Sequence, residues 1–164
     1  MGPNFIERAI DWPKGLLLDD YQVGQVFEHH WGRTVNDGDN SLFSTLTLHF
    51  NPLYFNAEFA RAHGHATTPV NPLLVFNVVV GLSVEDLSEA GGPFLGIDKL
   101  SYLMPVYPGD TLTVRSTTLA VRASETRAGT GVVTWRTEGF NQRGEKVIEF
   151  ERTNLIRRRA IGGL

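Results

Sequence analysis

Polar and apolar positions change rhythm several times along the chain. Between Val26 and Val35 the segment VFEHHWGRTV is rich in aromatic and β-branched residues and follows the turn signal Val23-Gly24-Gln25, which predicts a strand. Successive side chains of a strand point to opposite faces, so His29 and His30 part there and a shared metal site is not expected. After Thr34 the rhythm lengthens. NDGDNS precedes Leu42, Phe43 and Leu46 at helical spacing, so a short helix should begin near Asp37 or Asp39, with these carboxylates acting as caps rather than catalysts. Asn51-Pro52 interrupts it, because the residue before proline is pushed out of the α region. A second capped helix follows, with Asn56 as N-cap, Glu58 in the first turn and Gly64 as the stop.

The segment PVNPLLVFNVVVGLSVEDL carries the strongest helix signal: Asn71 is a preferred N-cap, and Pro72 at N1 loses no hydrogen bond there. From Leu73 to Leu82 nearly every position is apolar, so this helix is expected to have no water-facing side and to be enclosed by other structure. From Gly91 onward the chain alternates and turns repeatedly. Strands separated by Pro108-Gly109-Asp110, by the loop 125–131 and by Gln142-Arg143-Gly144 fit a four-stranded antiparallel meander. An apolar helix followed by a long antiparallel sheet predicts an α+β hot-dog fold, the sheet wrapped around the helix. One domain over residues 1–164 is expected, with 1–20 as an N-terminal extension and 158–164 as a C-terminal tail. A lone unit of this kind leaves an edge strand unpaired, so a homodimer or a dimer-based higher oligomer is expected.

Composition narrows the functional classes. With 164 residues the chain can bury a core without disulfides or structural zinc, and the absence of cysteine removes thiol nucleophiles and iron–sulfur clusters. A net charge of −3 gives no electrostatic footprint for nucleic acid or an anionic membrane. The first twenty residues lack the basic-then-apolar order of a secretory signal and no run is long enough to span a bilayer, so a cytoplasmic enzyme or binding module is expected. No phosphate-cradling glycine loop, Gly-x-Ser-x-Gly elbow or dinucleotide fingerprint is present. His63-Gly64-His65, without a third ligand, is weak evidence for a metal, and none is expected.

Two segments resemble a known family. LMPVYPGDTL, from Leu103 to Leu112, is similar to the P-V-x-x-G-D strand and turn of the MaoC-like (R)-specific enoyl-CoA hydratases and dehydratases. FSTLTLHFNPLYFNAEFA, from Phe43 to Ala60, resembles their hydratase motif. The likeness runs from about Val26 to Arg157. Where that motif carries its catalytic aspartate and histidine, this chain has His49 and Tyr54. Where a histidine and an oxyanion glycine open the central helix, it has Asn71 and Pro72, and proline has no N–H to donate. RTVNDGDNSLFSTLT and VNPLLVFNVVVGLSV look most like the subgroup associated with mesaconyl-CoA, itaconyl-CoA and β-methylmalyl-CoA. The resemblance implies a hydro-lyase acting on an acyl-CoA, with coenzyme A as part of the substrate and no other cofactor.

Hydrating an enoyl thioester requires a base for water, an acid for the α-carbon and donors for the developing enolate oxygen. His49 has the chemistry for the first two, and Tyr54 for orienting the imidazole or holding the water. Asn51 is placed to fix the loop or position water. The Leu73 N–H or the Asn71 side-chain amide is the expected donor to the thioester oxygen, at the positive end of the helix dipole. Arg33 and Arg61 are candidates for a substrate carboxylate or coenzyme A phosphates, and Arg157-Arg158-Arg159 for the latter. Each residue also has a plain structural alternative: Asn71 as a cap only, His49 as a hydrogen-bonded buried histidine, Tyr54 as packing, the arginines as solvated charge. A hot-dog thioesterase and a non-catalytic acyl-CoA binding module are the competing functions, the first disfavoured by a central helix with only Asn77 and Ser83 as polar residues before Glu85.

Overall fold

A computed structural model describes residues 15–159, so most of the expected extension and the last residues of the tail lie outside the described residues. The expected first strand is split into β1 (Val26–Glu28) and β2 (Arg33–Thr34), with His29, His30, Trp31 and Gly32 between them. Helix α1 spans Asp37–Leu46. Its cap is Asn36 rather than either aspartate. Asn36 Oδ1 accepts the Asp39 N–H at 2.9 Å and Asp39 accepts the Asn36 N–H at 3.1 Å, a reciprocal capping box. Asn56 caps helix α2, Ala57–Ala62, as its side chain suggested, and Asn51 caps a short 3₁₀ turn, Pro52–Tyr54. Helix α3, Pro72–Leu87, starts at the Asn71 cap with proline at N1.

Strands β3 (Phe94–Tyr102), β4 (Thr111–Ala123), β5 (Thr130–Phe140) and β6 (Lys146–Arg157) fill the second half of the chain. All pairings are antiparallel, in the order β1-β4-β5-β6-β3, with β2 also on β4. Only β4, β5 and β6 form a meander. β3 pairs with β6, not with its sequence neighbour β4, and so becomes an edge strand. α3 lies on β4 and β5, giving the α+β hot-dog arrangement. Its Val79 meets the sheet at Gly139, where a Cβ would lie 2.7 Å from Ile148 Cγ2 and 2.8 Å from Val79 Cγ2. A glycine is what lets helix and sheet approach this closely.

The helix is not enclosed on all sides. Val75, Val79, Ser83 and Leu87, spaced four apart, form the buried stripe, whereas Leu73, Asn77, Gly81 and Val84 are exposed. The sheet of one unit covers one face of α3, and an apolar face remains open. Further exposed apolar residues stand along β3 and just beyond it, among them Phe94, Leu95, Leu100 and Leu103.

Candidate active site

The site is built at the N-terminus of α3 by two buried asparagines. Asn40, in the middle of α1 where asparagine is a poor helix former, accepts the Asn71 N–H on Oδ1 at 2.8 Å. Its Nδ2 donates to the carbonyls of Tyr54 at 2.9 Å and Pro69 at 3.0 Å. One side chain thus ties α1, the 3₁₀ turn and the approach to α3 together. Asn71 is fully buried, its Oδ1 accepting the Leu73 N–H at 3.0 Å. Its Nδ2 donates to His49 Nδ1 at 2.8 Å and lies 3.4 Å from Ser44 Oγ. Asn40 and Ser44 were not singled out in the sequence; a polar, strongly turn-forming asparagine in a helix interior was the available signal.

His49 and Tyr54 are brought together. Their rings meet edge to face with centroids 5.3 Å apart. The backbone between them is held by the Asn51 cap, whose Oδ1 accepts the Leu53 N–H at 3.0 Å, so Asn51 fixes the loop. Tyr54 lines an apolar cleft of about 350 Å³, with Pro72 and Val75 of α3 on one wall and Tyr102, Met104 and Val106 on the other. Burial raises the Tyr54 phenol above its ordinary range, and burial together with neighbouring Tyr54 does the same for Tyr102. Both phenols are protonated at neutral pH and carry an O–H to donate. Tyr102 was missed because nothing local in FLGIDKLSY links it to a motif fifty residues earlier.

Several expected roles need correction. The Leu73 N–H is consumed by the Asn71 cap and the Asn71 amide by His49 and Ser44, so neither is free to meet a thioester oxygen. Arg33 donates to Asp39 at 2.9 Å and borders a different groove, along the open face of α3 with Leu74, Asn77 and Leu82. Arg61 pairs with Glu58 on α2 and does not line the cleft. In the basic tail Arg158 and Arg159 pair with the chain's own Asp19 and Asp20, and Arg157 with the Ala90 carbonyl. His63 bonds the Phe59 carbonyl and His65 the Tyr107 hydroxyl, so the two do not converge.

A second array has the outline of a nucleophilic triad. Asp86 Oδ2 lies 2.6 Å from His29 Nδ1, and His29 Nε2 lies 2.9 Å from Ser116 Oγ, which in turn meets Thr137 Oγ1 at 2.9 Å. Ser116 is 0% exposed, so no substrate reaches it. Burial pulls the His29 imidazolium below its ordinary range, Asp86 only partly opposing, and the array is a satisfied buried polar chain.

Comparison with known proteins gives the family. A family model described as mesaconyl-CoA hydratase matches residues 3–162. The chain belongs to that family. Among members of the mesaconyl-CoA hydratase family, the mesaconyl-CoA hydratase of Haloarcula hispanica is 35% identical over 95% of this chain and 44% of its own length. The β-methylmalyl-CoA dehydratase of Chloroflexus aurantiacus is 34% identical over 88% of this chain and 41% of its own length. A crystal structure of a MaoC domain protein of Chloroflexus aurantiacus superimposes with a TM-score of 0.85 at 31% identity, covering 93% of this chain and 43% of that one. The chain therefore spans somewhat under half the length of these two relatives.

Proposed function

We propose that this chain is a hydro-lyase unit that adds or removes water across the α,β bond of an enoyl-CoA thioester. The observation that carries the reading is the apolar cleft beside the His49–Tyr54 pair, at the capped N-terminus of α3, in a chain of the mesaconyl-CoA hydratase family. The acyl group lies in the cleft, with its thioester end beside His49 and Tyr54 and coenzyme A as the only cofactor-like group. Among the described residues no charged side chain lines the cleft, which suits a branched apolar acyl group; the second carboxylate of a dicarboxylic one would find its partner outside this lining. Residues 1–164 act as one domain, working in the cytoplasm where acyl-CoA esters are made and used. The open face of α3 and the apolar edge strand β3 support pairing with a second copy, giving a homodimer of about the relatives' length.

A non-catalytic acyl-CoA binding module is favoured by one feature: among the described residues no carboxylate lines the cleft. Incubation with mesaconyl-CoA and crotonyl-CoA separates the readings. The hydro-lyase bleaches the ultraviolet absorbance of the conjugated bond without releasing thiol. Thiol release indicates a thioesterase, and binding with neither change indicates the module.

A further inference from the structure

We infer that Asn71 locks His49 as the Nε2–H tautomer, so that His49 serves this site as a hydrogen-bond donor to the thioester oxygen and not as the base. The inference rests on the cleft being an enoyl-CoA site. Its first step is independent of that reading. The backbone N–H of Leu73 can only donate, so the Asn71 atom it meets at 3.0 Å is the oxygen Oδ1. The atom facing His49 Nδ1 at 2.8 Å is then the amide nitrogen Nδ2. An amide nitrogen has protons to give and no lone pair to offer. His49 Nδ1 is therefore the acceptor, and the single proton of the neutral imidazole sits on Nε2.

A neutral imidazole has one lone pair. Here Asn71 holds it, so Nε2 is equipped to donate and not to abstract. Asn71 is fully buried and fixed by its own backbone bond to Asn40, so the lock is rigid. Nε2 has no protein partner among the described residues, while the ring stands against Tyr54, which lines the cleft. The donors that the helix N-terminus would otherwise provide, the Leu73 N–H and the Asn71 amide, are consumed inside the protein. The role they leave open is the one for which His49 Nε2–H is suited. Neutral imidazole acting as an electrophile at a helix N-terminus has precedent in enzymes that stabilise enolates.

In the reaction this means that the oxygen of one water bonds to the β-carbon as charge moves onto the thioester oxygen. The His49 Nε2–H···O bond shortens and strengthens without transferring its proton. Water supplies both the hydroxyl on the β-carbon and the proton that reaches the α-carbon, and dehydration is the reverse. Asn71 is a positioning residue in this scheme.

The test combines NMR of the ¹⁵N-histidine-labelled full chain with two variants. In the wild type at a pH where the ring is neutral, His49 should show an unprotonated Nδ1 and a protonated Nε2. Asn71→Asp keeps an oxygen for the Leu73 N–H but turns an acceptor toward His49, so the proton should move to Nδ1 and kcat should fall about 100-fold, with a smaller change in KM. His49→Ala should lose about 100- to 1,000-fold in kcat. His49→Gln offers an amide N–H but no titratable group and should recover most of that loss. A protonated Nδ1 in the wild type, or a His49→Gln variant as inactive as His49→Ala, overturns the proposal. Methylsuccinyl-CoA, a saturated thioester that cannot be hydrated, supplies a readout that does not depend on turnover. Its binding should move the Nε2–H proton resonance downfield, and an unmoved resonance in the saturated complex overturns the donor role. A downfield shift in a wild type that hydrates no enoyl-CoA upholds the donor role and removes only the hydro-lyase reading.

Discussion

Asn40 Oδ1 accepts the backbone N–H of Asn71 at 2.8 Å, across thirty-one residues of sequence, and so sets the start of the central helix from inside α1. Asn40→Ala would leave that N–H and the Tyr54 and Pro69 carbonyls unpaired in a buried place. Leaving buried polar groups unsatisfied costs about 1–3 kcal/mol each when water cannot replace the partner. A loss of about 3 kcal/mol in urea unfolding is expected, together with a weakened acyl-CoA affinity because the 3₁₀ turn carrying Tyr54 loses its anchor.

The burial of His29 gives a pH dependence of known sign, which its contact with Asp86 only partly opposes. Burial lowers the His29 pKa in the folded protein below its value near 6.5 in an unfolded chain, so between those two values the unfolded chain binds more protons. The stability contributed by neutral His29 is present above about pH 6.5 and is lost as pH falls through the folded pKa. Urea unfolding followed from pH 8 down to pH 5 should show that decline. His29→Gln should flatten it, and an equally steep decline in the variant would assign the titration to another group.

The caps were legible in the sequence because cap chemistry is local. Asn56, and Asn71 followed by Pro72, bond to backbone two or three residues away, and the structure has both where the residue types pointed. The open face of α3 was not legible. From Leu73 to Leu82 apolar residues occupy nearly every side of the helix, so periodicity has no contrast to report, and an apolar surface left open reads the same as one covered by its own sheet. Nor does alternation reveal partner choice, which is why β3 was expected beside β4 and is found on β6. His49 and Tyr54 could be named from the motif. The direction of the hydrogen bond at His49 could not, since Asn71 lies twenty-two residues away and its orientation is fixed by a third residue, Leu73.

Tyr54→Phe deletes a protonated phenol from the cleft and keeps the ring against His49. The hydroxyl has no protein partner among the described residues, so its removal should leave the unfolding midpoint unchanged. If the hydroxyl holds substrate or water, enoyl-CoA hydration should slow by tenfold or more, about 1.4 kcal/mol of transition-state binding. Unchanged turnover would leave Tyr54 as a packing residue.

Pairing of the edge strand is expected to show in solution. β3 exposes Phe94 and Leu95 at about half of their full area, on a strand with only β6 beside it among the described residues. Sedimentation at micromolar protein should give twice the 18.2 kDa of one chain. Leu95→Lys, which places charge on that edge, should shift the population toward monomer; a wild type that sediments only at 18.2 kDa excludes the dimer.

The seat of α3 on the sheet is testable at Gly139. A methyl group there would meet Val79 Cγ2 at 2.8 Å and Ile148 Cγ2 at 2.7 Å, both nearer than side-chain carbons approach without movement. Val79 and Ile148 are fully buried, so neither has free space to yield into. Gly139→Ala should therefore cost about 1–3 kcal/mol as overpacking, although alanine is the better residue for an unstrained strand. Val79→Ala alone should also destabilise, through the cavity it leaves. Combined, the added methyl on the strand occupies part of the space vacated on the helix. The double variant should be more stable than the sum of the two losses predicts, by a coupling of about 0.5–3 kcal/mol. Strict additivity in urea unfolding would mean that helix and sheet do not meet at this pair, and the register of α3 over β5 would have to be redrawn.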